Sequence, residues 1–143
     1  MEYYHVPESI AKVMVSRKLT DIDQTKEFFS PDISQLHNPF LMKGMETAVN
    51  RIIRNIESET PIFIFGDYDV DGASSTAILS RYFLSIRQKI LTYIPDRQKE
   101  GYGPSTEGFE HLIKLGAKII FTVDCGTLSF DPIKFAQNQN IDV

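Results

Sequence analysis

Three aspartates stand close together in the stretch IFIFGDYDVDG, at positions 67, 69 and 71, directly after the apolar run Ile62–Phe65. Ionised carboxylates crowded in this way either take up protons or bind a cation, because like charges repel each other and unpaired charges are costly to bury. Carboxylate oxygens without histidine or cysteine favour magnesium or manganese over zinc or copper. Asp67, Asp69 and Asp71 are therefore candidate metal ligands, although a lone aspartate at a strand end also serves as a turn former.

A second apolar run ends in an acid in the stretch KIIFTVDCG, where Asp124 precedes Cys125 and Gly126. If the two runs are neighbouring parallel strands, which lie about 4.8 Å apart, Asp124 comes within coordination reach of Asp69 and Asp71. Two divalent ions roughly 3.5 to 4 Å apart commonly hydrolyse phosphodiesters, because one activates water and the other stabilises the leaving oxygen. We therefore predict that Asp69, Asp71 and Asp124 are catalytic metal ligands.

Groups that could bind a phosphodiester lie in two other stretches at the same predicted edge. A helix expected from about residue 72 turns its unpaired N–H groups toward the aspartates, with Ser74 and Ser75 in its first turn. The loop PDRQKEGYGPS supplies Arg97 for a phosphate, Tyr102 for stacking on a base or sugar, and Gly103 for close backbone approach. A plain charged turn that ends in a helix cap explains the same residues of this loop.

Three competing interpretations of these stretches are weaker. The pattern D-x-D-x-D-G also begins an EF-hand calcium loop, but Ile78 stands where the bidentate glutamate belongs, and an apolar strand precedes the loop. Cys125 has no histidine beside it in sequence and is expected to be a small buried hydrophobe. The basic residues between positions 81 and 99 are more simply a solvated face than a track for nucleic acid.

Strands and helices must alternate for the aspartates to meet, and the chain shows this alternation from residue 61 onward. Apolar runs predict strands at 62–65, 90–94 and 118–123, and helical periodicity predicts helices at about 72–86, 105–115 and 130–138. This order predicts an α/β fold, a parallel sheet with helices on both faces, whose ligand site lies beyond the carboxyl ends of the strands. The final residues, NIDV, resemble the opening of a fourth strand, so we expect the domain to be incomplete.

Residues 1–58 form a separate helical segment in this interpretation, and residues 59–143 form the sheet domain. Amphipathic stretches flank the Pro-, Asn- and Ser-rich connector SPDISQLHNPF, and Asp21 or Asp23 is a possible cap of the second helix. The boundary is placed where helical spacing gives way to apolar runs of strand length.

The composition limits the classes of protein to which the chain can belong. Its 143 residues are 42% hydrophobic and 24% charged, as in ordinary globular domains, and its formal net charge is -4. This acidic balance argues against binding nucleic acid by bulk electrostatics, so such binding needs a local basic patch. One cysteine excludes an internal disulfide, and no membrane span or signal peptide stands out, so we expect no membrane association and a cytoplasmic location.

The stretches FGDYDVDGASSTAIL, IPDRQKEGYGP and FTVDCGT, in this order, resemble the first motifs of the RecJ-type single-stranded-DNA exonucleases of the DHH phosphoesterase superfamily. The resemblance implies a Rossmann-like DHH domain in an enzyme that removes nucleotides from single-stranded DNA, from 5′ to 3′, in recombination and repair. It implies manganese or magnesium as cofactor, with two ions in the complete protein. It also implies a single-strand-binding protein or a helicase as a further partner.

The resemblance also assigns roles to individual residues. It gives metal ligation to Asp69, Asp71 and Asp124, and a ligand or supporting role to Asp67. It places Arg97 in a loop that faces the DNA backbone.

Two departures from the family pattern leave other functions open. Phe65 stands where some relatives have histidine, and the Asp-His-His motif that names the superfamily does not occur up to Val143. We therefore expect the chain to be inactive by itself. A non-catalytic scaffold of the same fold, and a hydrolase of short oligonucleotides or cyclic dinucleotides, are the alternatives.

Overall fold

The computed structural model describes residues 6–143, and its centre is a sheet of three parallel strands in the order β2-β1-β3. The strands are β1, Ile62–Phe65; β2, Ile90–Tyr93; and β3, Ile120–Thr122. Phe65 of β1 is in register with Tyr93 of β2 and with Thr122 of β3. The three carboxyl ends therefore lie side by side at one edge of the sheet.

Seven α-helices and two short 3₁₀ turns accompany the sheet within residues 6–143. The helices are α1, Glu8–Ser16; α2, Ile22–Phe29; α3, Met45–Glu57; α4, Val70–Ser85; α5, Arg97–Glu100; α6, Thr106–Lys114; and α7, Phe130–Asn138. The 3₁₀ turns are Ile33–Gln35 and Pro39–Leu41. In this part of the chain no helix combines the length and apolar character that crossing a membrane requires.

One face of the sheet is covered by α6 and α7. Phe63 and Phe65 of β1 form a buried cluster with Phe109 and Leu112 of α6 and Ala136 of α7. The rings of Phe65 and Phe109 meet edge to face, with centroids 5.5 Å apart.

The opposite face is covered by α4 and by α3. Ile62 and Ile64 form a second buried cluster with Phe83 of α4, and Ile52 and Ile56 of α3 pack against it. All four residues of β1 are fully buried, as a central strand covered on both faces requires. The predicted α/β fold with helices on both faces is confirmed.

The direction of strand addition reverses between β1 and β3. From β1 the chain crosses to β2 on one side, and it then returns to place β3 on the other side. A parallel bridge between Ile119 and Asp142 continues the sheet beyond β3. In open parallel sheets ligands bind at such a reversal, beyond the carboxyl ends of the two strands. The topology therefore predicts a ligand site among the residues that follow β1 and β3.

The chain divides into two compact units, residues 1–45 and 46–143. In the described part of the first unit, Asp21 caps α2 by accepting hydrogen bonds from Asp23 N at 3.0 Å and Gln24 N at 3.1 Å. The observed division precedes the expected boundary at residue 58 by almost the whole of α3. Sequence periodicity identifies α3 as a helix, whereas its assignment to the second unit depends on Ile52 and Ile56 packing on the sheet.

Candidate metal centre

The end of β1 is held on both sides before the chain turns into α4. Gly66 N donates a hydrogen bond to Tyr93 O at 2.9 Å, and Val123 N donates one to Phe65 O at 3.0 Å. A Cβ at Gly66 would lie 2.1 Å from Thr76 Oγ1, so a larger residue would displace either α4 or the side chain of Thr76. The start of α4 thus packs tightly against the carboxyl end of β1.

Asp67, the first acid after β1, is buried with only 1% of its surface exposed. Its Oδ1 has no hydrogen-bond partner within the described residues. A Cβ at Gly72 would lie 2.5 Å from Asp67 O, so the first turn of α4 encloses this residue. An unpartnered buried carboxylate oxygen costs free energy, and a nearby cation offsets that cost. The environment of Asp67 therefore fits a site that holds a cation.

Asp69 and Asp71 lie at the start of α4, where the helix dipole favours negative charge. Asp69 is the N-cap, and its Oδ1 accepts a hydrogen bond from Gly72 N at 2.9 Å. Asp71 lies in the first turn of the helix. Both residues are exposed, so a hydrated divalent ion can reach them from solvent.

Asp124 follows β3 with a left-handed backbone, at φ 57°, which aspartate tolerates better than most residues. Partial desolvation raises the pKa of the Asp124 carboxyl, and the charges of Asp69 and Asp71 raise it further. A side-chain hydrogen bond with Asp69 and the charge of Asp67 act in the same direction. The structure therefore brings acids from the ends of β1 and β3 close enough to repel one another.

The four aspartates border one space without forming a closed cage. Within residues 6–143, no three side chains of His, Cys, Asp or Glu are spaced to hold one ion as they stand. Asp124 and Asp69 interact directly through their side chains. Asp71 and Asp67 act on Asp124 through their charge. Their donor set consists of carboxylate oxygens, which suits Mn²⁺ or Mg²⁺. The residues present thus fit such an ion chemically.

The 95–105 loop reaches the end of β3 through Tyr102 and Gly103. Tyr102 is 62% exposed, and its hydroxyl donates a hydrogen bond to Asp124 O at 3.5 Å. Gly103 is buried with φ at 78°, and a Cβ there would lie 3.2 Å from Cys125 O. The close approach that Gly103 permits in this structure is therefore to the chain itself, whereas the Tyr102 ring is accessible.

Arg97 is the first residue of α5, and its guanidinium Cζ lies 4.9 Å from the centroid of the Tyr68 ring. Tyr68 stands between Asp67 and Asp69, so the contact joins the 95–105 loop to residues 67–71, which we call the acidic turn. Sequence reasoning singled out Arg97 and missed Tyr68. Its place between two candidate ligands was the available signal, but aromatic residues next to buried strands are usually core residues.

Ser74 and Ser75 lie in the second turn of α4 and not in its first turn, which corrects the prediction. The Asp69 cap starts the helix at Val70, so the unpaired N–H groups belong to earlier residues. Ser75 Oγ donates a hydrogen bond to Asp71 O at 2.6 Å, and Ser74 is exposed. Of the two hydroxyls, that of Ser75 is thus used within the helix.

Cys125 is buried beside the acidic residues, and the charges of Asp67 and Asp124 act on its thiol. Its Sγ donates a hydrogen bond to Val123 O at 3.1 Å, and burial raises the pKa of the thiol to about 11. A neutral thiol at physiological pH is a poor nucleophile. The structure agrees with the expected packing role.

Residues 61–143 match the DHH family, N-terminal domain. The chain belongs to the DHH family. The matched part of the DHH chain contains all three strands, the four aspartates and the 95–105 loop, whereas α1, α2 and α3 precede it.

Curated relatives of the DHH chain include single-stranded-DNA-specific exonucleases named RecJ. That of Bacillus subtilis (strain 168) is 34% identical over 142 residues, which are 99% of this chain and 18% of the relative. That of Haemophilus influenzae is 35% identical over 126 residues, which are 85% of this chain and 21% of the relative. The DHH chain therefore spans about a fifth of the length of these relatives.

Solved structures similar to the DHH chain include a crystal structure of exonuclease RecJ bound to manganese. The TM-score is 0.63 at 28% identity, and the match covers 70% of this chain and 26% of that chain. RecJ in complex with Mn²⁺ from Thermus thermophilus has a similar fold, with a TM-score of 0.62 at 24% identity, over 81% of this chain and 16% of that chain. The resemblance to RecJ-type proteins is thereby confirmed.

Proposed function

We propose that this DHH chain supplies the metal-binding aspartates of an exonuclease that hydrolyses single-stranded DNA with Mn²⁺ or Mg²⁺. The observation that carries the proposal is the convergence of Asp69 and Asp124 at the adjoining ends of β1 and β3, with Asp67 and Asp71 beside them. The proposal extends to 5′ to 3′ digestion in recombination and repair, which the resemblance of the sequence motifs implies, and to a cytoplasmic location.

Asp69, Asp71 and Asp124 would hold two divalent ions in the complete protein, and Asp67 would ligate or support from its buried position. When bound, such ions would supply an activated water and would stabilise charge on the leaving oxygen. The helix dipole of α4 and the exposed carboxylates set the electrostatics of the site before any ion arrives.

Residues of the 95–105 loop and of α4 would bind and orient the DNA strand. Arg97 would donate hydrogen bonds to phosphate oxygens, and the accessible ring of Tyr102 would stack on a base or sugar. Gly103 would shape the loop at this point, and the exposed Ser74 would approach a phosphate more readily than Ser75. Because the formal net charge is -4, such binding depends on these local groups and the bound cations.

The decisive experiment measures hydrolysis by the complete polypeptide that contains this chain. Single-stranded oligonucleotides labelled at either end would be incubated with Mn²⁺, and the Asp124→Asn variant would be compared with the unmutated protein. Loss of a direct ligand should lower kcat at least about 100-fold, the upper end for changes in outer-shell partners. Asp131→Asn, which removes an exposed acid from the first turn of α7, is the matched control and should leave kcat unchanged.

The same assay separates the proposal from its alternatives. Mononucleotide release from the 5′ end of long strands supports the proposal, whereas preference for dinucleotides indicates a hydrolase of short substrates. Unchanged turnover in Asp124→Asn would exclude the assignment of Asp124. If the unmutated protein neither hydrolyses DNA nor binds Mn²⁺ in calorimetry, the chain belongs to a scaffold.

A further inference from the structure

Both the backbone and the side chain of Arg97 are held in place near the acidic turn. At the backbone, Asp96 caps α5 by accepting a hydrogen bond from Gln98 N at 2.9 Å. Glu100 Oε1 accepts a hydrogen bond from Asp96 N at 2.8 Å, and the Tyr93 hydroxyl donates to Glu100 Oε2. These bonds join α5 to the end of β2, so the backbone of Arg97 has a defined place beside the acidic turn.

At the other end, the guanidinium of Arg97 lies on the ring of Tyr68. Its Cζ is 4.9 Å from the ring centroid, within the range in which a cation is attracted to an aromatic face. Tyr68 is half-buried, so its ring is less mobile than a fully exposed one. Its backbone lies in the acidic turn itself, between Asp67 and Asp69.

The choice of partner is unusual, because four aspartates lie in the same region of the molecule. Among the described residues, no carboxylate oxygen lies within 4.0 Å of an Arg97 nitrogen. A carboxylate partner would occupy the N–H donors of the guanidinium, whereas an aromatic face attracts the charge and leaves those donors at the edge available. The contact with Tyr68 therefore holds Arg97 without using the groups that recognise a phosphate.

We propose that Tyr68 is a positioning residue that orients Arg97 toward a phosphate of single-stranded DNA. This inference rests on the proposed function, because it takes single-stranded DNA as the substrate. Tyr68 itself contacts no reacting atom in this scheme. It keeps the guanidinium at the border of the acidic site and away from the carboxylates, so that Arg97 binds the strand and the aspartates remain available for metal ions.

The test compares Tyr68→Leu with Tyr68→Phe in the complete polypeptide that contains this chain. Binding of a fluorescent single-stranded oligonucleotide would be measured by anisotropy in EDTA, where hydrolysis does not interfere. An exposed cation–π contact is worth about 0.5–1 kcal/mol, so Tyr68→Leu should raise Kd about two- to fivefold. Tyr68→Phe keeps an aromatic face and should restore the affinity of the unmutated protein.

A double-mutant cycle with Arg97→Ala shows whether the effect passes through Arg97. Once the guanidinium is absent, Tyr68→Leu should have no further effect on Kd. In the Mn²⁺-dependent assay Tyr68→Leu should raise KM more than it lowers kcat. Tyr82→Leu removes a tyrosine that is 59% exposed on α4, and it should leave both Kd and KM unchanged.

The outcomes separate this inference from the proposed function. An unchanged Kd in Tyr68→Leu, or an effect that adds in full to that of Arg97→Ala, overturns the positioning role. If Tyr68→Phe loses affinity as Tyr68→Leu does, and both variants melt at a lower temperature than the unmutated protein, Tyr68 has a structural role. That result overturns the positioning role as well. Failure of Asp124→Asn to reduce hydrolysis rejects the metal assignment while the Kd comparison still decides the role of Tyr68. Absence of DNA binding by the unmutated protein overturns both.

Discussion

Tyr93 and Glu100 form the connection between β2 and the short helix α5. The pKa of Tyr93 is raised to about 12, first by desolvation and then by the hydrogen bond to Glu100 and the charge of its carboxylate. A raised tyrosine pKa means that folding favours the neutral phenol. The contribution of this group to stability is therefore fully present below about pH 10, the usual tyrosine pKa, and is lost as the pH rises toward 12.

We predict that Glu100→Gln lowers the pKa of Tyr93 toward its ordinary value, because the anionic acceptor is removed while burial persists. Phenolate absorbance near 295 nm, corrected by subtraction of a Tyr93→Phe titration, measures this pKa. The exposed Glu107→Gln in α6 is a control of equal charge change and should leave it unaltered. An unchanged Tyr93 pKa in Glu100→Gln would show that burial alone accounts for the shift.

At the scale of residues, the sequence was informative where chemistry depends on local spacing. Asp69 and Asp71 could be selected because they follow an apolar strand, and Asp124 because it ends another one. The contact between Tyr68 and Arg97 could not be predicted, since it depends on how α5 places one side chain over a ring from a distant stretch. The Asp124 backbone conformation was equally invisible, because nothing beside Gly126 in sequence indicates a left-handed residue there.

Asp69 has two roles at the scale of the element: it is the N-cap of α4 and a proposed metal ligand. Substitution by alanine removes both roles and would confuse loss of metal with loss of helix stability. Substitution by asparagine keeps a side-chain oxygen that can accept the hydrogen bond from Gly72 N, and it removes only the charge.

We therefore predict different stabilities for two Asp69 variants that bind Mn²⁺ equally poorly. Asp69→Ala should lower the free energy of unfolding by about 1 kcal/mol, the typical cost of losing an N-cap, whereas Asp69→Asn should change it little. Urea denaturation measures the first quantity and calorimetric titration with Mn²⁺ measures the second.

The matched control for these variants is the N-cap of another helix. Ser105 Oγ accepts a hydrogen bond from Gly108 N at 3.0 Å at the start of α6. Ser105→Ala should destabilise the chain by a similar amount and leave Mn²⁺ affinity intact. Retained Mn²⁺ binding in Asp69→Asn would contradict the ligand role of Asp69.

At this scale periodicity located every strand between residues 6 and 143 and most of the helices there, and the errors have local physical causes. The strand expected at 90–94 ends at Tyr93, and the one expected at 118–123 is shortened to Ile120–Thr122. The helix α4 starts at Val70 because Asp69 caps it, although Gly72 suggested a later start. The helix α5 was missed because four polar residues have no apolar face to reveal them, and capping by Asp96 provides the signal instead.

For the molecule as a whole, the repulsion among the aspartates becomes a lever on stability. A ligand that binds only the folded chain stabilises it by mass action, by about 2.7 kcal/mol at a concentration 100 times its Kd. If the carboxylates at the ends of β1 and β3 bind Mn²⁺, added Mn²⁺ should raise the melting temperature of the chain. Thermal denaturation followed by circular dichroism measures the shift.

The Asp124→Asn variant provides the comparison for this prediction. It should melt at an equal or higher temperature than the unmutated chain in EDTA, because one member of the repelling set is neutral. Its melting temperature should respond less to Mn²⁺. A chain whose melting temperature is insensitive to Mn²⁺, with or without the substitution, would contradict metal binding by these residues alone.

The overall topology could be inferred from the order of elements, but the extent of the compact unit could not. Alternating strands and helices predict a parallel sheet, and the reversal of strand order at β1 follows once β3 is placed. The position of α3 depends on which apolar surface covers Ile62 and Ile64, and several amphipathic helices could do so equally well by composition.

The central position of β1 also has a consequence for synthesis on the ribosome. Along one edge this strand pairs with β3, which emerges roughly 55 residues later, or about 3 to 11 s at ordinary elongation rates. Until then the nascent chain carries four consecutive large apolar residues, Ile62–Phe65, and one backbone edge of this strand has no partner strand. Its yield in the cell should therefore depend on chaperones that shield such segments while translation continues.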